Sequence, residues 1–195
     1  MEDPNNKKDD KIMKSLKELL RTVVISVIIV VVLTVFIIRP VRVDGTSMNP
    51  TVHDGDIGFS SIISYTIEGI HQFDVVVFYS SALNETLVKR VIGMPGDTVY
   101  AKDGVVYVNG SAIDESFLDQ QFVADYETAN QGQTFTSDFE PVVVKEGHYF
   151  VLGDNRPVSL DSRSGSVGQV AKSDLKSKYV IVIFPFNHIR AVLGN

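Results

Sequence analysis

The chain has no cysteine, so any nucleophile it carries is an oxygen or a lysine amine. Ser47 lies in Asp-Gly-Thr-Ser-Met-Asn-Pro-Thr (44–51), where small residues and a proline favour a tight turn with an accessible hydroxyl. A serine hydroxyl attacks well only when a base takes its proton, and an isolated turn serine more often bonds locally. Lys89 lies in Leu-Val-Lys-Arg-Val-Ile (87–92). Strand alternation puts Lys89 on one face with Leu87 and Val91, and Arg90 on the other with Val88 and Ile92. Both faces are apolar, so at least one cation is expected against buried surface, unless this is an edge strand from which both reach water. A buried lysine loses solvation of its charged form, its pKa falls, and it can act as a neutral base. Arginine cannot, because its pKa stays above about 12. A serine and a neutral lysine together would support acyl transfer.

A third segment, Gly153 to Gly168, packs Asp154, Arg156, Ser159, Asp161 and Arg163 into a polar loop after an apolar strand. Asp161 and Arg163 are spaced to pair across a tight turn, and Ser159 could orient a nearby lysine. It could also be an ordinary surface loop, although loops braced by such pairs commonly carry function. The histidines at 53, 71, 148 and 188 are scattered, and none has a nucleophile-like or glycine-rich neighbourhood that suits a serine–histidine–aspartate triad. His53-Asp54-Gly55-Asp56 looks superficially like a metal site. Adjacent side chains point apart, however, and the sequence offers no second cluster, so no metal is expected.

These residues must be positioned by a chain of 195 residues with 44% hydrophobic content, enough for one membrane anchor and one compact domain. The net charge of −6 argues against a nucleic-acid partner, since phosphate binding needs a basic face. The lack of cysteine also excludes disulfides, thiolate catalysis and cysteine-based zinc sites.

From Thr22 to Ile38 no charge interrupts the apolar run, which as a helix covers roughly 25 Å. Leu19 and Leu20 extend it, and no small-residue cleavage pattern follows, so a retained transmembrane helix is expected over 19–38. Lys7, Lys8, Lys11, Lys14, Lys17 and Arg21 precede it, whereas only Arg39 and Arg42 follow closely. The positive-inside rule then makes residues 1–18 a cytoplasmic tail and puts 39–195 outside the cell membrane. Beyond the anchor, 73–79, 86–92, 97–101, Val-Val-Tyr-Val-Asn, 141–144, 149–153 and 178–184 read as strands rich in β-branched and aromatic residues. Met-Pro-Gly-Asp (94–97) and Lys-Asp-Gly (102–104) supply turns between them. No helical period is evident past the anchor, and the polar stretch 111–140 reads as an insertion or cap. The fold class expected is mostly β, preceded by one transmembrane helix.

Three segments in order, Gly45–Asp56, Val88–Asp97 and Gly153–Arg163, following an anchor, resemble those of bacterial type I signal peptidases of the Gram-positive-like form. The resemblance covers nearly all of residues 20–185, apart from 111–140. It implies a catalytic domain of coiled antiparallel β-sheet with a small cap, and an active site facing the membrane. It also implies a serine endopeptidase that removes signal peptides from exported pre-proteins after Ala-x-Ala through an acyl-enzyme, with no cofactor. By the same resemblance Ser47 corresponds to the nucleophile, Lys89 to the general base and Ser159 to the hydroxyl that orients the lysine. Asp154, Asp161 and Arg163 match positions that hold the site together, and Met48 and Pro50 match the segment that shapes the adjoining pocket. Gly45, Thr46, Met48 and Val88 fall on the substrate and oxyanion side. Some members carry a hydroxyl residue where this chain has Gly45, which leaves the Ser47 N–H as the main oxyanion donor. The partners implied are signal peptides and the lipid bilayer. A self-cleaving repressor-type serine–lysine protease would share the pair, but it is cytoplasmic and bound to DNA, and neither fits the anchor or the acidic charge. A membrane-tethered surface module is the non-enzyme alternative.

Overall fold

The computed structural model describes residues 4–194. Helix α1 (Pro4–Val32) starts well before the apolar run and ends in a π-helical turn over Leu33–Ile37. Residues 11–21 are mostly strong helix formers such as Lys, Leu and Glu, so helix propagates through a segment that hydropathy alone reads as a tail. The stretch apolar and long enough to cross a membrane is Met13–Ile37, none of which is buried by the protein. Such a length of uncovered valine, isoleucine and leucine is stable only with lipid or another apolar partner around it. At Ile38 the chain becomes extended and enters strand β1 (Ile38–Arg42) directly.

The remaining strands are β2 (Ile57–Ser61), β3 (Val75–Ser80), β4 (Glu85–Gly93), β5 (Thr98–Lys102), β6 (Val105–Val108), β7 (Ser111–Ala112), β8 (Phe139–Val143), β9 (His148–Leu152), β10 (Val170–Ala171), β11 (Leu175–Phe184) and β12 (Arg190–Val192). They form two antiparallel sheets. The larger runs β1-β2-β11-β3-β4-β9-β10 with β12 beside β11, and the smaller runs β7-β6-β5-β8. The turn Met94–Asp97 joins the two, with the Asp97 carboxylate accepting the Met94 N–H at 2.7 Å and Gly96 at a φ of 89°.

The large sheet curls over its own side chains. Val41, Val43, Met48 and Val52 from the β1 side pack in one core with Val75, Val77 and Val88 of β3 and β4 and Val180 and Val182 of β11. That curl brings the chain after β1 back over β4. A second core lies under Val76, Val91 and Val151, and a third joins the sheets through Ile92, Phe150 and Leu152 against Val99, Val106 and Val144.

Two helices follow α1 in segments without an evident helical period. Helix α2 (Ile62–Glu68) is capped by Ser61, whose hydroxyl accepts the Ser64 N–H at 3.0 Å. Helix α3 (Gln120–Ala129) is capped by Asp119, which accepts the N–H groups of Gln121 and Phe122 at 3.0 Å each. The first is short and rich in β-branched residues. The second shows only a weak apolar stripe, whose Phe122 and Tyr126 pack edge-on against Phe135. Caps and tertiary contacts, not periodicity, hold both.

Candidate active site

Strand β4 pairs with β3 throughout but with β9 only from Arg90 onward, so Arg90 is interior to the sheet while Lys89 lies just before the β9 ladder begins. Lys89 and Arg90 are both only 2% exposed. Lys89 Nζ lies 2.5 Å from Ser47 Oγ. Burial lowers the Lys89 pKa from 10.5 to about 8, against the opposing pull of the Asp161 and Asp154 carboxylates.

Arg90, on the opposite face, makes two parallel bonds to Asp154, Nε to Oδ1 at 2.9 Å and Nη2 to Oδ2 at 2.6 Å. Its Nη1 donates to the Phe73 carbonyl at 3.0 Å, and its guanidinium stands 4.3 Å from the centre of the Phe117 ring. Asp154 also accepts the Thr51 hydroxyl at 2.6 Å. The turn carrying Ser47 is therefore tied to Arg90 through two side chains.

Main-chain bonds fix the same turn. Asn155 donates its N–H to the Ser47 carbonyl and its side-chain amide to the Thr46 carbonyl, both at 3.0 Å. Met48 is 1% exposed and anchors the turn in the core beside Val88, whereas Thr46 is exposed. Gly45 has a φ of 99°, which favours glycine, and its N–H donates to Asp54 Oδ1 at 2.7 Å. That amide is thus occupied. The Ser47 N–H makes no hydrogen bond among the described residues. Gly153 admits no side chain: a Cβ there would stand 2.1 Å from Ser159 Oγ and 2.4 Å from the Ser47 carbonyl oxygen.

Asp161 is fully buried and accepts Arg163 Nε and Nη2 at 2.8 Å each and the Gly153 N–H at 3.0 Å. Arg163 Nη2 also donates to the Arg156 carbonyl at 2.7 Å. Ser159 is brought close to Gly153 and the Ser47 carbonyl, but its hydroxyl is buried with no partner among the described residues and does not bond Lys89.

Three further residues hold the arrangement and were not read as site residues from the sequence: Thr51, Asn155 and Arg156. Arg156 is 1% exposed, donates to the Gly153 carbonyl at 3.0 Å and to Thr136 Oγ1 at 3.0 Å, and pairs with Glu115 at 2.5 Å. It links the 153–168 loop to the segment after β7. Its place within Gly-Asp-Asn-Arg was the available signal. Arg90 was considered only as the cation that could not be a base, and its bracing role needed the fold to emerge. Ser47 and Lys89 open on a cleft lined by Val43, Asp44, Met48, Leu87 and Val88. Outside this lining, His53, Asp56 and His188 bring potential metal-ligand atoms together.

A family model for "Signal peptidase, peptidase S26" matches residues 16–184. A signal peptidase I of Bacillus licheniformis is 40% identical over 179 residues, spanning 90% of this chain and 92% of that protein. Signal peptidase IB of Staphylococcus aureus is 35% identical over 187 residues, spanning 91% and 94%. A solved signal peptidase I from Enterococcus faecalis is 32% identical and superposes with a TM-score of 0.48, covering 56% of this chain and 95% of that one. The chain belongs to the signal peptidase family of S26 peptidases. Its activity is accordingly that of a membrane-associated peptidase that removes signal peptides from pre-proteins.

Proposed function

We propose that Ser47 is the nucleophile and Lys89 the general base of this peptidase, acting on signal peptides that end in Ala-x-Ala. The observation that carries this reading is the 2.5 Å approach of a buried lysine, its pKa lowered to about 8, to a serine hydroxyl on a braced turn. Neutral Lys89 takes the Ser47 proton as Oγ attacks the scissile carbonyl. The free Ser47 N–H stabilises the oxyanion. Lys89 then passes its proton to the leaving amine, the acyl-enzyme forms, and a water deprotonated by Lys89 releases it. Asp154, Asp161 and Arg163 hold the elements that carry the pair, and Ser159 supplies a hydroxyl beside them.

An extended leader peptide would lie between residues 43–47 and β4, bonding main chain to main chain. Val43, Met48, Leu87 and Val88 give that cleft a tight apolar lining, which supports small residues on the acyl side of the cut. Residues 19–38 are proposed to span the membrane with 1–18 in the cytoplasm and 39–195 outside. An exposed apolar rim made by Ile57, Ile181, Ile183, Phe184 and Phe186 supports contact of the domain with the outer lipid surface. Peptide cleavage in detergent tests the central claim. The wild type should cut a leader peptide after Ala-x-Ala, and folded Ser47→Ala and Lys89→Ala proteins should not. Cutting by either variant at an appreciable rate overturns the assignment.

A further inference from the structure

His53 and Asp56 are near neighbours in sequence, and the fold supplies a third potential ligand from the far end of the chain. His188 sits in a single helical turn (Phe186–His188) after β11, and its ring stacks on that of His53, centroids 4.7 Å apart and planes 28° from parallel. Both rings approach Asp56 through Nδ1. His188 Nδ1 is 3.4 Å from Oδ1, and His53 Nδ1 is 3.9 Å from Oδ2. The potential ligand atoms of these residues all lie within 4.8 Å of one another. Asp56 is 1% exposed, and its Oδ2 accepts the His53 N–H at 2.9 Å.

Hydrogen bonding accounts for only part of this arrangement: His188 Nδ1 bonds Asp56 Oδ1 at 3.4 Å, but the His53 ring is left over. His53 Nδ1 is buried with no hydrogen-bond partner among the described residues, and 3.9 Å is too long for a bond to Asp56. Around a tetrahedral zinc with ligands about 2.0–2.2 Å away, neighbouring ligand atoms are roughly 3.3–3.5 Å apart. The 3.4 Å between His188 Nδ1 and Asp56 Oδ1 already has that value, whereas His53 Nδ1 is 3.9 Å from the other oxygen, so a small turn of the carboxylate or ring is needed to bring all three to one ion.

We propose that His53, Asp56 and His188 form a binding site for a divalent transition metal of the zinc class, with water completing the shell. Two imidazoles and one carboxylate suit zinc or cobalt, whereas magnesium and calcium require more oxygen ligands. Arg190 donates to the carbonyls of Pro50 and Thr51 and its charge opposes a cation here, so the affinity is below that of closed structural zinc sites. The bound ion ties the 53–56 turn to the C-terminal segment. That turn also provides Asp54, which holds the Gly45 amide, so the metal acts on the rigidity of the Ser47 loop from outside the cleft.

The test uses the full-length, untagged protein in detergent, titrated with cobalt(II) and followed by visible absorption, together with thermal unfolding in zinc. Wild type should show one equivalent of tetrahedral cobalt bands and a rise in Tm with zinc but not with magnesium. His53→Ala and His188→Ala should lose both signals while keeping metal-free peptide cleavage. If His188→Ala does not fold, His188→Gln takes its place. Absence of both signals in the wild type overturns the site, as does their survival at full size in the folded variants.

Discussion

Arg90 and Asp154 are joined by two parallel hydrogen bonds with almost no exposure to water, one residue along the strand from Lys89. Removing the arginine leaves a buried carboxylate with only the Thr51 hydroxyl and no opposing charge. Arg90→Ala is therefore expected to cost about 3–5 kcal/mol in urea unfolding. Asp154→Asn should cost less, because the amide keeps one acceptor for the guanidinium. A folded Arg90→Ala protein that melts like wild type would show that the pair does not brace the turn.

Lys89→Arg preserves charge and length but cannot offer a neutral base. It should be inactive while folded, and the Ser47→Ala/Lys89→Ala double variant should be little worse than either single one, because the two act as a unit. Steady-state cleavage with circular dichroism as a folding control reads both outcomes. Additive losses would mean that the residues contribute independently.

The lowered Lys89 pKa sets a direction for pH. Below about 8 the amine is protonated and cannot accept the Ser47 proton; above it the base is free. kcat/KM for a leader peptide without nearby ionisable groups should rise as pH increases through about 8 and then level off. The unfolded lysine titrates near 10.5, so between the two values the unfolded chain binds the extra proton. The penalty for burying this amine is thus largest below about 8 and is relieved as pH rises toward 10.5. A rate profile that falls through this range would remove Lys89 as the base.

Asp161 and Ser159 should separate stability from rate. Asp161→Ala leaves Arg163 without its two carboxylate bonds and frees the Gly153 amide, so it should lower the Tm markedly and weaken protease resistance. Ser159→Ala removes a hydroxyl that has no partner among the described residues, so its Tm should stay at or above that of wild type. If the hydroxyl turns to the Lys89 amine during the reaction, kcat should fall roughly 10- to 100-fold, the equivalent of a hydrogen bond of about 1–3 kcal/mol. Unchanged kcat would leave Ser159 as packing beside Gly153.

The strands around the site were legible because their signals are local: β-branched runs, alternation at 86–92 and turn chemistry at 94–97. The central position of β4 was not, since pairing on both sides depends on β9, well over fifty residues away in sequence. That is why an edge position stayed open for Arg90 until the fold closed it, whereas residues 85–89 are paired on the β3 side only. The partners of Asp154 were hidden for the same reason: Arg90 and Thr51 lie 64 and 103 residues from it. Asp161 with Arg163 is a contact two residues apart, and there sequence spacing was informative. Helices α2 and α3 escaped because a side-chain cap and a few aromatic contacts replace the apolar stripe that periodicity detects.

The passage from the apolar helix α1 to the large sheet contains no linker: the π-helical turn ends at Ile37 and β1 begins at Ile38. Ser47 follows only five residues after that strand. With the span and the nucleophile placed as proposed, such a joint would work as a yardstick, setting the height of the cutting point above the hydrocarbon by stiff covalent geometry instead of by diffusion on a tether. A leader whose own apolar core ends at the same depth would present its cleavage bond at the matching level, so position relative to the bilayer becomes part of how a cut is chosen among many small-residue sequences.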